Sequence, residues 1–516
     1  MTDLPLTRLG EALYRAGYTE PRLRQFWGSA ASEALTRNNA APAIHHCTDV
    51  LAAETAGAFD RGLASLALLF HFHRRVAVAD VRQVLGETVD TAAEAGLIDI
   101  EAGEAIAPFA LTPYDLPVGV PRGFRTGDEN LYLVADHGTL VTPETLGREY
   151  VLGLGGAGRT LVNLTPRDQV DVAADIGTGC GIQALLLARH SRRVIATDVS
   201  HRALSLAALS AEINGVSTIE FRHGSLLDPL TERVDLLVSN PPFVITPRST
   251  GTTFEYRDAG MTGDALVRRL FTAVPAVLTP GGRSVCLGNW ETTSGNDEGP
   301  EAWVGEADTS VLVIEREALD PVAYAETWIR DGGIARATPA WDCAIADWLD
   351  DFASRSVEQV VFGYVFMARS QSADDGVFRA RERVTSAPAN NPHGLAEFLT
   401  TVFAIRSWLA SAGPEEIAAT AFTRSPDLVE HRHFVPGQSE PSSITLEQGI
   451  GFGQVFDLDT ALAGFVSVAD GSLTVRQTAG ALAQLLDVDA TALEDQLIAQ
   501  VRALAAAGVL LPDSAS

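Results

Sequence analysis

The chain has 516 residues, of which 46% are hydrophobic and 20% charged, and its formal net charge is −28. This length exceeds one ordinary hydrophobic core, so we expect about three or four folding units. Phosphate backbones repel an acidic surface, which disfavours nonspecific binding to nucleic acid. Because the sequence contains no lysine, chemistry that needs a lysine amine, such as Schiff-base catalysis, is excluded.

The sequence also contains no stretch that approaches ~18 uninterrupted apolar residues, so we predict no transmembrane helix. Residues 1–5 are not followed by the basic segment and apolar run of a secretory signal. We therefore expect a cytoplasmic protein that makes no membrane contact.

The N-terminal part, residues 1–118, is predicted to be a helical domain that ends in a small β element. Helices are expected over Leu63–Phe72, Val78–Gly86 and Thr88–Ala95 from the spacing of their apolar residues. Short apolar runs on both sides of a Glu-Ala-Gly-Glu turn at residues 101–104 predict a hairpin. Helices followed by a hairpin in this order indicate a winged-helix-like domain.

Residues 119–372 alternate between strand and helix patterns, which predicts an α/β domain with a doubly wound, mostly parallel, seven-stranded sheet. The predicted strands are Val170–Ile176, Arg193–Thr197, Ile219–Arg222, Val234–Ser239, Arg283–Gly288, Ser310–Ile314 and Val357–Phe366. The predicted helices are Ile182–His190, Ala203–Asn214 and Leu266–Leu278.

Residues 373–445 are predicted to be a helical region and linker, and residues 446–516 a second winged-helix-like module. The helices expected in these parts are Leu395–Ala410, Pro414–Thr423, Thr460–Val468, Thr474–Leu486 and Ala490–Ala507. An arginine cluster occupies Arg379, Arg381 and Arg383. A helix that reads bases usually carries Arg, Asn or Gln, but the helices in question here are acidic. We therefore expect the terminal modules to be structural or to bind a protein partner.

No metal site is evident in the sequence. Two pairs of histidines stand two residues apart, but no cysteine or carboxylate completes a ligand set beside either pair. The cysteines lie far apart, without the spacing of a zinc site or a disulfide scaffold: Cys47, Cys180, Cys286 and Cys343. We expect reduced thiols and no bound metal.

A glycine-rich turn, Asp175–Gly181 (Asp-Ile-Gly-Thr-Gly-Cys-Gly), follows the first strand of the predicted sheet and precedes a helix. Alternate glycines let the backbone approach a ligand closely, and the helix N-terminus offers free N–H donors. A dinucleotide fingerprint would place its third glycine at Ile182. By itself, the turn therefore indicates a nucleotide-binding site of another kind.

A carboxylate, Asp198, ends the second predicted strand. It could accept hydrogen bonds from both hydroxyls of a ribose, or it could cap the next helix, and these roles are compatible.

The fourth predicted strand runs directly into Asn-Pro-Pro-Phe at residues 240–243. Two prolines end a strand and hold the backbone rigid. The Asn240 side chain and the Pro241 carbonyl can then accept hydrogen bonds from one NH₂ group, while Phe243 offers a face to a planar group. Two fixed acceptors favour a pyramidal nitrogen and aim its lone pair, so a conjugated amine or amide could attack an electrophile without a strong base.

These landmarks, in this order, resemble the class I S-adenosylmethionine-dependent methyltransferases of the Asn-Pro-Pro-Phe/Tyr amino-methylating group. The resemblance implies a Rossmann-like sheet, S-adenosylmethionine as cofactor, and Ser225 and Leu226 against the adenine, although the acidic residue usual at the Ser225 position is absent. The cofactor-binding residues it implies are Asp175, Gly177, Thr178, Gly179, Gly181, Asp198, Val199, Ser225, Leu226 and Asn240. The catalytic residues it implies are Asn240, Pro241, Pro242 and Phe243.

Two branches of this group are similar to the chain. Ribosomal-RNA guanine methyltransferases typically have Asn-Pro-Pro-Phe, as here, whereas release-factor glutamine methyltransferases usually have Asn-Pro-Pro-Tyr and a helical N-terminal domain. Phe243 favours an RNA substrate, and the acidic charge favours a protein substrate.

We predict methylation of an exocyclic base amine in ribosomal or transfer RNA. The alternatives are glutamine-amide methylation of a translation protein such as a release factor, and a cofactor-sensing adapter without catalysis. No basic target-recognition region supports a DNA-adenine enzyme.

Two loops are expected to border the site. The segment Leu152–Leu161 precedes the first strand, and its Arg159 and Thr160 are candidate cofactor contacts. The loop Val244–Asp264 has the length and glycine content of a substrate lid. Its candidate substrate contacts are Thr246, Arg248, Tyr256 and Arg257.

Overall fold

The fold comes from a computed structural model that describes residues 5–117, 120, 129–138, 140–141, 147, 149–248, 260–305, 308–372, 375–392 and 394–513. Within these ranges an N-terminal module, a central α/β domain and a C-terminal module follow one another. No helix among the described residues is both long enough and apolar enough to cross a membrane.

The N-terminal module is mostly helical. Its helices are α1 (Thr7–Arg15), α2 (Glu20–Thr36), α3 (Ala41–Ala52), α4 (Ala58–Leu66), α5 (Val78–Leu85) and α6 (Thr88–Glu94). Its strands are β1 (Val76–Ala77), β2 (Asp99–Glu101), β3 (Glu104–Ile106), β4 (Ala110–Asp115) and β5 (Asn130–Ala135). β1, β3 and β2 form a small antiparallel sheet in that order, and β4 pairs with β5.

The helices and the hairpin expected in this module are confirmed with somewhat different bounds. The helix expected over Leu63–Phe72 is the end of α4, continued by a π-helical turn at Ala67–His71. Helix α5 stops at Gly86, whose φ of 60° favours a glycine. The turn at residues 101–104 joins β2 to β3.

The central domain is built on one mixed sheet. Its strands are β6 (Val170–Ile176), β7 (Ser191–Asp198), β8 (Ile219–His223), β9 (Val234–Ser239), β10 (Leu278–Thr293), β11 (Thr309–Leu319), β12 (Val357–Arg369) and β13 (Arg379–Arg383). Its helices are α7 (Gly156–Leu164), α8 (Ile182–Leu187), α9 (His201–Ile213), α10 (Ala265–Val277), α11 (Pro300–Trp303), α12 (Pro321–Asp331) and α13 (Pro339–Ser354).

The strand order is β13-β11-β12-β10-β9-β6-β7-β8. Neighbouring strands run parallel except at β12, which is antiparallel to both β10 and β11. The mostly parallel α/β sheet is therefore confirmed, but the prediction of seven strands is wrong, because the described residues form eight. The additional strand is β13, in which the arginine cluster lies. Arg381 bonds Asp297 at 3.0 Å and lies 3.3 Å from Glu301, so neighbouring carboxylates neutralise the edge strand.

The N-terminal module is packed against helix α9 of the central domain. The backbone N–H of Leu6 donates to Glu212 Oε1 at 3.2 Å, and the Thr7 hydroxyl donates to the Glu212 carbonyl at 3.0 Å. Asn214 both accepts from the Tyr132 N–H (3.0 Å) and donates to the Tyr132 carbonyl (2.7 Å), which pairs the backbone of Tyr132 on the free edge of β5. One continuous apolar core extends from the module to α8 and α9, which fixes the module beside the glycine-rich turn.

The C-terminal module mixes helices with short strands. Its elements are α14 (Ala396–Ser411), α15 (Pro414–Ala419), β14 (Ala421–Arg424), β15 (Val429–His433), β16 (Ser443–Glu447), β17 (Val455–Leu458), α16 (Thr460–Val468), β18 (Asp470–Thr474), α17 (Val475–Leu486), α18 (Ala490–Ala506) and β19 (Leu510–Pro512). Its two sheets have the orders β18-β14-β19 and β15-β16-β17. The helix predicted over Pro414–Thr423 ends at Ala419, because the next residues pair as β14 with β18 and β19.

Candidate active site

A cavity of about 580 Å³ opens at the carboxyl ends of β6, β7, β8 and β9. Ligands of open α/β sheets bind at this edge, and the volume lies within the range of about 300–1,000 Å³ that small-molecule sites occupy. The predicted residues that line it are Asp175, Gly177, Thr178, Gly179, Asp198, Val199, Ser225, Leu226, Asn240, Pro241 and Pro242. Gly181 and Phe243 do not line it. Side chains from four sequence-distant turns therefore meet in one place.

The glycine-rich turn is held by β7. The N–H groups of Gly177 and Thr178 both donate to the Thr197 carbonyl at 2.9 Å. Gly177 and Gly179 have φ values of 74° and 54°, and no heavy atom lies within 4 Å of the position that a Cβ would take at either residue. The backbone is thus exposed to a ligand here.

Gly181 has a different task from the other two glycines. Its φ is 88°, and a Cβ on it would lie 3.0 Å from Ala207 Cβ of helix α9. The absence of a side chain lets α8 pack closely on α9. The structure therefore places Gly181 behind the cavity wall, where it supports the turn without facing the cavity.

The Asp175 carboxylate anchors the turn from inside and is 1% exposed. Its Oδ2 accepts hydrogen bonds from the Thr178 hydroxyl at 2.7 Å and from the Ala184 N–H at 3.0 Å. Burial, with a smaller contribution from the nearby Asp198 carboxylate, raises the pKa of Asp175 to about 7. This group therefore titrates close to neutral pH.

Asp198 organises the next turn and borders the same cavity. Its Oδ2 accepts from the Gly179 N–H at 3.0 Å, and its Oδ1 accepts from the Ser200 N–H at 2.9 Å. The following helix is capped by Ser200, whose hydroxyl accepts from the Ala203 N–H at 3.2 Å. Asp198 is therefore not the cap of α9, and it lines the wall of the cavity.

Ser225 and Leu226 lie on the turn after β8, on the cavity wall near Asp198. The N–H of Gly224 donates to the Asp198 carbonyl at 3.0 Å, which joins the two turns. Leu226 has a φ of 48°, a left-handed conformation that costs about 1 kcal/mol for a residue with a side chain. Strain of this kind is concentrated at ligand-binding sites.

Asn240 follows the buried strand β9, and its backbone is held by its neighbours. The Ser239 hydroxyl donates to the Ile176 carbonyl at 2.8 Å, and Pro241 and Pro242 stiffen the other side. Asn240 Oδ1 is buried, and the described residues provide it with no hydrogen-bond donor. A buried acceptor of this kind costs about 1–3 kcal/mol unless a ligand supplies the donor.

Phe243 lies outside the cavity. Its half-buried ring packs on the apolar clusters below the sheet edge and beside the hairpin of α12 and α13. The stacking role expected for Phe243 stays a prediction. Its observed contacts fix the end of the Asn-Pro-Pro-Phe segment.

Part of the cavity wall was not predicted from the sequence, and another part was predicted with different bounds. The segment 149–158 lines it, together with Gln183, Met261 and Arg269. Gln183 donates from Nε2 to the Gly158 carbonyl at 2.9 Å and so holds the start of α7 at the cavity. Arg159 and Thr160 do not line the cavity, and the Arg159 guanidinium lies 5.3 Å from the centre of the Tyr114 ring.

Two of the four candidate substrate contacts after Phe243 lie among the described residues. Thr246 is buried, and Arg248 donates to the Met261 carbonyl. Tyr256 and Arg257 lie outside the described residues. Among the side chains that the structure describes, no three of the types His, Cys, Asp or Glu converge in a way that could hold a metal ion.

The residues of this cavity fit S-adenosylmethionine. The open backbone at Gly177 and Gly179 suits close approach of a ligand, and the Asp198 carboxylate suits ribose hydroxyls. Ser225 and Leu226 place one polar and one apolar side chain on the cavity wall, as the predicted contact with adenine requires. Asn240, with its unpaired oxygen, lies at the same cavity.

Comparison with known protein families gave matches for two parts of the chain. Residues 154–292 match the family described as methyltransferase small domain. Residues 15–108 match a family described only as a domain of unknown function, DUF7059. An rRNA methylase structure from Streptococcus thermophilus is 14% identical, with a TM-score of 0.24, and the match covers 42% of this chain and 95% of that one.

Curated relatives that match the chain include glutamine methyltransferases. A release factor glutamine methyltransferase from Xylella fastidiosa is 41% identical over 129 residues, which are 23% of this chain and 46% of that protein. A ribosomal protein uL3 glutamine methyltransferase from Bradyrhizobium diazoefficiens is 30% identical over 162 residues, 29% of this chain and 51% of that protein. The chain thus spans about half the length of these relatives. It contains a class I S-adenosylmethionine-dependent methyltransferase domain, related to the release factor glutamine methyltransferases.

Proposed function

We propose that the chain methylates the side-chain amide nitrogen of a glutamine in a translation protein. The observation that carries this proposal is Asn240 Oδ1, a buried acceptor at the cofactor cavity that lacks a donor among the described residues. A carboxamide NH₂ supplies such a donor. The named relatives favour this alternative over the base amine in RNA that the Phe243 motif led us to expect first.

Different residues around the cavity would bind different parts of the cofactor. Asp198 would accept from the ribose hydroxyls, and the open backbone at Gly177 and Gly179 would let the methionine part of the cofactor approach the turn closely. Ser225 and Leu226 would hold the adenine. When bound, S-adenosylmethionine supplies an electrophilic methyl group on a sulfonium.

The acceptor side of the reaction depends on Asn240 and Pro241. Asn240 Oδ1 and the Pro241 carbonyl would hold the two amide hydrogens, which lowers the conjugation of the nitrogen lone pair and aims it at the methyl group. After transfer, the nitrogen carries a surplus proton and is a strong acid, so this proton leaves to water without a protein base. Pro241 is a buried residue on the wall of the same cavity, directly after Asn240.

The terminal modules are assigned to partner binding in the same proposal. The order α4-β1-α5-α6-β2-β3 near the N-terminus, and α16-β18-α17-α18-β19 near the C-terminus, suits winged-helix-like domains, with boundaries near residues 118, 372 and 445. Their acidic helices suit a basic protein better than a phosphate backbone. The net charge of −28 supports the same choice of partner.

Labelled S-adenosylmethionine tests this assignment directly. The purified chain is incubated with an extract from cells that lack it, and protease-sensitive and RNase-sensitive label are counted separately. We expect label in a protein band, released as methylamine after hydrolysis, and absent with Asn240→Ala. Label in RNA would support the base-amine alternative, and label in neither fraction, with the cofactor bound, would support the adapter.

A second prediction, on the pH dependence of cofactor affinity, follows from the pKa of Asp175. Because burial raises this pKa to about 7, the carboxyl is largely protonated at pH 6 and ionised at pH 8. A cationic cofactor binds the ionised form better, so cofactor affinity should rise by about tenfold between these pH values. Calorimetry should show a flat profile for Asp175→Asn. A wild-type profile as flat as that of the variant would contradict this role.

A further inference from the structure

A helical hairpin, α12 and α13, connects β11 to β12 and packs beside the Asn-Pro-Pro-Phe segment. It lies C-terminal to the part of the chain that matches the methyltransferase small domain. Trp341, Trp348 and Phe352 of α13 form one apolar cluster with Val244 and Ile245, the residues that directly follow Phe243. The hairpin therefore contacts residues 243–245, the end of residues 240–245, which we call the acceptor segment.

One side chain of the hairpin makes a directional contact with that segment. Tyr324 of α12 is 0% exposed, and its hydroxyl accepts a hydrogen bond from the Ile245 N–H at 3.1 Å. The same hydroxyl accepts from the Asn289 side-chain amide at 3.0 Å. Trp348, Phe352 and Phe362 surround the ring, with centroids 5.6 to 6.0 Å away. The hydroxyl is thus a fixed point for the backbone of Ile245.

The hairpin also holds the far end of the loop that follows. Arg355, directly after α13, donates to both carboxylate oxygens of Glu291, the shortest bond being 2.7 Å. The Glu291 N–H in turn donates to Asp264 Oδ2 at 3.2 Å. Asp264 precedes α10, so the hairpin is connected to the chain at Ile245 and again at Asp264, three residues after Met261 of the cavity wall.

We propose that the hairpin α12–α13 is a frame for the acceptor segment, and that Tyr324 is the positioning residue through which it acts. Asn240 lies between two fixed points: Ser239, bonded to Ile176, on one side and Ile245, bonded to Tyr324, on the other. The direction of Asn240 Oδ1 depends on this backbone, and a displacement of about 1 Å can lower a rate by about 100-fold. The inference rests on the proposed acceptor role of Asn240.

Tyr324→Phe removes the hydroxyl and leaves the ring in its cage. We expect the Ile245 amide to exchange with deuterium at least about tenfold faster, kcat to fall about tenfold, and the cofactor Kd to stay unchanged. Tyr18→Phe is the matched control: Tyr18 is also 0% exposed, and its hydroxyl donates to the Leu111 carbonyl at 2.9 Å in the N-terminal module. Tyr18→Phe should lose about as much thermal stability as Tyr324→Phe. It should keep the wild-type kcat and the wild-type protection of the Ile245 amide from exchange.

The outcomes separate this inference from the proposed function. Unchanged exchange at Ile245 in Tyr324→Phe overturns the inference whichever acceptor the wild type uses. Faster exchange with an unchanged kcat overturns it as well. If the proposed function is wrong, the wild-type protein will fail to methylate glutamine. The ratio of kcat between Tyr324→Phe and wild type would then be measured on whichever acceptor the wild type labels.

Discussion

Replacement of Asn240 by alanine should lower kcat by about 100- to 1,000-fold and leave the cofactor Kd within about threefold of wild type. The size follows from removing one preorganised polar contact that acts mainly in the transition state. Asn240→Asp keeps an oxygen at the same place and should retain more activity than Asn240→Ala. Single-turnover methyl transfer gives the rate, and calorimetry gives the cofactor affinity.

Asn130→Ala is the matched control for this result. Asn130 Oδ1 is also buried without a hydrogen-bond donor among the described residues, but it lies on β5, away from the cavity. Its removal should affect thermal stability and leave kcat near wild type. If Asn240→Ala lost cofactor binding together with turnover, Asn240 would be part of the cofactor site and not an acceptor for the substrate.

The central sheet could be placed closely from the sequence because its strands are apolar runs with clear ends. The predicted strands Val170–Ile176 and Val234–Ser239 coincide with β6 and β9, since a glycine-rich turn ends one and two prolines end the other. The turns at their carboxyl ends meet at one cavity, as expected for parallel strands.

The edges of the domain were harder to infer. Strand β13 alternates arginine with other residues and resembles a polar loop, and it is held at the edge of the sheet by pairing with β11 and by carboxylates of distant segments. Helices α12 and α13, in contrast, could have been predicted from the capping residues at their N-termini. Asp320 and Thr338 each precede a proline, and each accepts hydrogen bonds from the first turn of α12 or α13.

Phe243 shows the limit of local motifs. The motif indicates where the aromatic ring stands in the sequence, but the direction of the ring depends on the apolar clusters around it. Those clusters include Tyr324 and Trp348, which lie more than 80 residues later in the chain. Long-range packing of this kind cannot be inferred from the spacing of a four-residue motif.

Replacement of Asp198 by alanine should raise the cofactor Kd by about 100-fold. Its carboxylate accepts from the N–H groups of Gly179 and Ser200, so its loss both loosens the glycine-rich turn and removes the acceptor that we propose for the ribose hydroxyls. Hydrogen bonds to a charged group contribute about 1.5–3 kcal/mol each, and a 100-fold change corresponds to about 2.7 kcal/mol. Calorimetric titration with S-adenosylmethionine measures this directly.

The control is Asp171→Ala, which removes a carboxylate from the opposite end of the neighbouring strand. Asp171 is exposed and lies 3.4 Å from Arg192, a surface pair of the kind that contributes little. Its cofactor Kd should stay within about twofold of wild type. Equal Kd values for Asp198→Ala and wild type would place the ribose elsewhere. A thermal shift with S-adenosylmethionine then separates loss of binding from loss of fold, because a folded Asp198→Ala protein keeps its melting transition but no longer gains stability from the ligand.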